Sequence, residues 1–128
     1  MKKRILAALL LALTLSFALT GCKKEKSSRV SYQMFDYGVA ALEIIDDYRN
    51  GRISDKEAIR RLDQNISRQE SHLSDEKKKL SEKPPSSDSL VVINTRMAVL
   101  AIMDKSCGTG TMADVTEKYN SLRDTLYE

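Results

Sequence analysis

The chain has 128 residues, with two cysteines, one histidine and no tryptophan, and its 21 basic and 18 acidic residues give a formal net charge of +3. Such a length supports a small domain with a single core. With no basic stripe interleaved with aromatics, the sequence offers no case for nucleic-acid binding. It also lacks a Gly-rich phosphate loop and a recognisable serine nucleophile motif, so it names no reaction and the expectation is a protein that is not an enzyme.

In chain order, the first segment is MKKRILAALLLALTLSFALTGC: a basic start at Lys2, Lys3 and Arg4, an apolar run of about a dozen residues from Ile5, and a small-residue exit at Leu19-Thr20-Gly21-Cys22. This order is that of an export signal. The run is short for a lasting membrane span, which needs about 20 apolar residues. Leu19-Thr20-Gly21-Cys22 resembles the lipobox of bacterial lipoproteins: Leu, a small residue, Gly or Ala, then Cys. The resemblance implies removal of residues 1–21 and a lipidated Cys22, carrying a diacylglyceryl group and a fatty acyl chain such as palmitate. It further implies an anchor on the outer face of the plasma membrane, or on the outer membrane of a two-membrane cell. Two or three acyl chains hold a protein stably where one does not. Losing Lys2, Lys3 and Arg4 brings the basic residues to 18, equal to the 18 acidic ones, so the mature chain is neutral. Residues 22–29 read as the lipidated cysteine and a flexible basic tether, with residues 30–128 as the folded domain.

Apolar residues in that domain recur at steps of three and four with no sustained alternation, which predicts an all-α fold. A first helix is expected from about Val30 to Tyr48, with Met34, Ala41, Ile45 and Tyr48 in one seam. A second is expected to start at Ser54-Asp55-Lys56-Glu57, a capping box, and to carry Ile59, Leu62, Ile66, Leu73 and Leu80 on its apolar side. At about 28 residues it would reach some 40 Å, so its far half from about Gln69 to Glu82 is expected to project and meet a protein partner. Pro84 and Pro85 stop it. A third helix, SLVVINTRMAVLAIMDK, with Ser87 or Asp88 as its cap, is apolar on most faces and is expected at the centre of the bundle. Gly108 and Gly110 break the chain, Thr111 to Asp114 resembles another capping box, and a fourth helix aligns Met112, Val115, Tyr119, Leu122 and Leu126. Four helices in two hairpins predict a small up-and-down bundle.

One stretch has two readings. DDYRNGRISDKE, residues 46–57, matches much of the calcium loop D-x-[DN]-x-[DN]-G-x5-E, with Asp46, Asn50, the Arg52 carbonyl, Ser54 and Glu57 as candidate ligands and Tyr48 out of place. The flanking Leu42, Ile45 and Leu62 resemble those of the EF-hand family, but no second loop pairs with it. As a turn, the same residues extend the first helix through Tyr48, place Gly51 in the left-handed conformation and cap the second helix with Ser54 and Glu57. The turn is preferred, with a calcium-responsive envelope protein as the alternative.

The remaining chemistry is sparse. His72 and Glu76 lie one helical turn apart, a pair able to hold a metal ion, but Gln69 breaks the Glu-x-x-His pattern of di-iron bundles, and an exposed histidine on a charged helix is the preferred reading. Glu43, Asp47, Arg60, Arg61 and Arg68 read as salt bridges across the first hairpin, and Cys107 as a lone turn thiol once Cys22 is lipidated. The function expected is a lipid-anchored cell-envelope lipoprotein without a cofactor, bound to the membrane through its lipid, whose helical domain is a binding or structural module.

Overall fold

The computed structural model describes residues 25–79 and 87–128. The signal sequence, the lipobox with Cys22, Leu80 and the Pro84-Pro85 stop lie outside the described residues. Four helices make up the domain: α1 (Tyr32–Arg49), α2 (Asp55–Lys79), α3 (Asp88–Ser106) and α4 (Met112–Leu126). Each packs on its neighbour in the chain, α4 closes the ring against α1, and of the two diagonal pairs only α1 and α3 meet. The fold is an all-α up-and-down four-helix bundle. Among the described residues, no helix is long and apolar enough to cross a membrane.

Local chemistry sets the helix ends. Ser31 precedes α1, and its hydroxyl accepts from the Met34 amide, satisfying one of the donors a helix N-terminus leaves free. At the other end Arg52 N donates to Asp47 O and Gly51 N to Tyr48 O, with Gly51 at φ 73°. This is the Schellman pattern, in which a residue without Cβ takes the left-handed position at least cost. The same bonds recur after α3, where Thr109 N reaches Asp104 O, Gly108 N reaches Lys105 O, and Gly108 has φ 80°. Thr111 and Asp114 form a reciprocal capping box at the start of α4.

The core takes Met34, Ala41, Ile45 and Tyr48 from α1, Ala58, Leu62 and Ile66 from α2, Val91, Ala98 and Ile102 from α3, and Val115, Leu122 and Leu126 from α4. A polar layer crosses it: Asn65 Nδ2 donates to Tyr37 O (2.9 Å), and Gln69 Nε2 donates to Asn65 Oδ1 (2.6 Å) and Thr95 Oγ1 (3.1 Å). At Gly38 the α1 backbone comes so close to α4 that an added Cβ would lie 2.5 Å from Leu126 Cδ2.

Several expectations need correction. The far part of α2 does not project up to Glu76: Gln69 is fully buried, and Leu73 packs against the core. The cap pairing of Ser54 and Glu57 is one-sided. Ser54 Oγ accepts from the Glu57 amide, but the Glu57 carboxylate turns to Arg60 and Arg61 instead of reaching back. Ser87 stands at the N-cap of α3 without a side-chain cap bond, and the Asp88 carboxylate accepts from Ser31 instead of capping α3. The tether expected over 22–29 is already structured from Glu25. Ser27 N donates to Leu126 O (2.8 Å), Glu128 N to Glu25 O (2.9 Å), and Lys26 pairs with Tyr127 in an antiparallel bridge. Ser27 and Ser28 also donate to the Glu128 carboxylate, holding it below the usual range.

Candidate functional site

The expected centre of the bundle, α3, has two apolar sides. Val91, Thr95, Ala98, Ala101 and Ile102 face inward, while Leu90, Ile93, Met97, Leu100 and Met103 are exposed, with Ile93 and Leu100 each half open at 51%. The outward residues follow one another by three, four, three and three positions, which keeps them on one side of the helix. At 1.5 Å per residue the row is about 20 Å long. This row explains why α3 looks apolar on most faces: it is a bundle helix with a second apolar side and no neighbour on it among the described residues.

Grooves border the row on both sides. Against α2 lies a space of about 410 Å³ lined by Asp63, Ile66, Glu70, Arg96, Val99 and Leu100, with Arg96 paired to Glu70. Toward α4 lies one of about 260 Å³ lined by Met97, Leu100, Asp104, Asp114, Glu117 and Lys118. The second rim sets three carboxylates against one ammonium group. Leu100 stands between the two grooves. An apolar ridge with grooves on either side and an acidic rim is the relief into which an amphipathic helix can dock.

A polar cluster lies at the end of the bundle where the chain enters the domain. Asp88, fully buried at the first turn of α3, accepts from Ser31 N (2.8 Å) and Ser31 Oγ (2.7 Å). His72 Nε2 lies 2.8 Å from Glu76 Oε1 and 3.3 Å from Ser31 Oγ. The Ser31 hydroxyl gives its proton to Asp88, so toward His72 it can only accept. With both neighbours acting as acceptors, Nε2 is the ring nitrogen that carries hydrogen. Burial, and next the Asp88 carboxyl beside it, push Glu76 above the usual carboxylate range, and His72 offsets this in part. His72 is thus not the exposed histidine expected: its side chain is 22% and that of Glu76 14% accessible. The sequence carried the one-turn spacing of the pair but no sign of Asp88 and Ser31, which reach it only through the packing of α3 and the start of α1.

In residues 46–57 the structure places Asp46 and Asp47 within α1. Asp46 lies 3.4 Å from Arg49, Asp47 2.9 Å from Arg52, and Asn50 Nδ2 donates to Asp46 O. Arg60 and Arg61 hold the Glu57 carboxyl down at about 2. The expected bridges across the first hairpin are therefore replaced, for Asp47, Arg60 and Arg61, by pairs within the turn and within α2. Arg52 and Ser54 sit in the connection, Ser54 as a cap. Cys107 is an exposed free thiol at the end of α3. Comparison with known protein families, curated proteins and solved structures finds no match to this chain.

Proposed function

We propose that the chain is a lipid-anchored lipoprotein of the bacterial cell envelope whose domain captures an amphipathic helix of another envelope protein on the outer side of α3. The observation that carries this reading is the exposed row Leu90, Ile93, Met97, Leu100 and Met103. A soluble surface scatters single apolar side chains, whereas a continuous row with adjoining grooves favours a docking site. The acidic rim at Asp104, Asp114 and Glu117 selects a helix with Lys or Arg along one flank. A seam about 20 Å long is short for a stable pair of folded copies, which buries about 800 Å² per partner, and the grooves supply the added depth that a single inserted helix uses.

The anchor rests on the Leu19-Thr20-Gly21-Cys22 motif. Cys22 precedes the first described residue, Glu25, by three positions, so the bundle stands within about 10 Å of the lipid. That orients the chain-entry end toward the membrane and leaves the α3 row running away from it. Metabolic labelling with a fatty-acid analogue should mark the protein and fail in Cys22→Ser; equal labelling of the variant would refute the anchor. Leu100→Glu should leave helicity and Tm nearly unchanged, since the side chain is half exposed, yet abolish binding of a synthetic amphipathic helix with a basic flank. Unaltered binding by the variant, or no binding by either form, would refute the docking face.

A further inference from the structure

We infer that His72, Glu76 and Asp88 form a binding site for a divalent first-row transition metal ion, with Zn²⁺ the representative case, at the membrane-facing end of the bundle. The three side chains each offer one ligand atom, and these atoms lie within 4.8 Å of one another. A tetrahedral ion at ordinary Zn–N and Zn–O distances separates its ligand atoms by about 3.4 Å, so small side-chain rotations bring all three onto one ion. The ligands come from two helices: His72 and Glu76 sit one turn apart on α2, and Asp88 opens α3. One imidazole and two carboxylates favour a first-row transition ion over Mg²⁺ or Ca²⁺, which prefer all-oxygen shells.

Two further features separate this cluster from an ordinary group of surface acids. The Glu76 carboxyl, its Oε2 shielded from solvent, lies against the Asp88 carboxyl, an arrangement of two acids that costs free energy unless a proton or a cation lies between them. Asp88 is already aimed, because Ser31 donates to it through both its amide and its hydroxyl, the kind of outer bond that orients a metal-binding carboxylate. The ion takes the place of the hydrogen on His72 Nε2. The neutral ring shifts that proton through solvent to Nδ1, and Nε2 then offers its lone pair. Three protein ligands leave a fourth position for water or for the Ser31 hydroxyl. Since α2 and α3 are joined through 80–86, metal binding clamps the two ends of that connection together.

The test is titration of the full chain in detergent, purified without a polyhistidine tag, with Zn²⁺ by calorimetry and with Co²⁺ by visible absorption. One ion per chain should bind, Co²⁺ should give the intense visible bands of a four-coordinate site, and Tm should rise. His72→Gln and Glu76→Gln should lose both the stoichiometric heat and the bands while keeping the helical circular dichroism. Cys107→Ser, which removes the free thiol, should bind as the parent does. Absence of binding by the parent, or binding that survives both substitutions on α2, would overturn the assignment. Because the readouts are spectroscopic and thermal, the result is independent of whether the α3 row docks a helix.

Discussion

Gly51 shows how one residue can end a helix. Its φ of 73° and the bond from Arg52 N to Asp47 O complete a helix end, and nothing lies within 4 Å of where a Cβ would be. The cost of Gly51→Ala is therefore backbone strain alone, about 1 kcal/mol. Asp46→Ala, which removes only a partly exposed partner of Arg49, should change stability by less than about 0.5 kcal/mol. Chemical denaturation of both variants checks the order, and a larger loss at Asp46 than at Gly51 would show that this stretch does more than turn the chain. The glycine signal was legible because Asn-Gly after a helical seam supplies the left-handed residue that ends a helix. The Ser31, His72, Glu76 and Asp88 cluster was not, since its members are 41 and 57 positions apart along the chain and meet only after three segments have packed.

At the scale of the helices, apolar spacing carried most of the information. The seams of α1 and α4 read from the sequence are the faces that pack inward, and the Thr111 capping box starts α4 as its letters suggest. Two readings failed for physical reasons. The half of α2 from Gln69 was expected to project, but a buried amide with partners on two helices is tolerated in a core as a polar layer. The abundance of apolar residues on α3 looked like central burial, whereas composition does not distinguish a helix surrounded by neighbours from one with an unpartnered apolar side. Gly38 also had no sequence explanation. In a helix it costs about 1 kcal/mol against alanine, and the structure supplies the reason: Leu126 occupies the space a methyl would take. Gly38→Ala should thus destabilise by about 1–3 kcal/mol through overpacking, despite the gain in helix propensity. A rise in Tm would mean that α1 and α4 separate more readily than this packing implies.

For the whole molecule, the first described residues matter as much as the bundle. Glu25 to Arg29 lie beside Leu126, Tyr127 and Glu128, so the entering chain joins the fold almost at once and little free tether remains between it and Cys22. A lipid on Cys22, as proposed, would set this end toward the membrane and present α3 side-on to neighbouring proteins. Docking of a basic amphipathic helix on this side is what we propose. It is tested most directly by placing a photo-crosslinking residue at Met97, within the row, and at Arg68, exposed on α2, and irradiating cells that express the full chain. Docking predicts an adduct from position 97 that is absent at 68, is lost on adding Leu100→Glu, and maps by mass spectrometry to a helical segment with Lys or Arg on one flank. Adducts at 97 with lipid or with a second copy of the chain, adducts equally strong from 68, or none at 97, would contradict it.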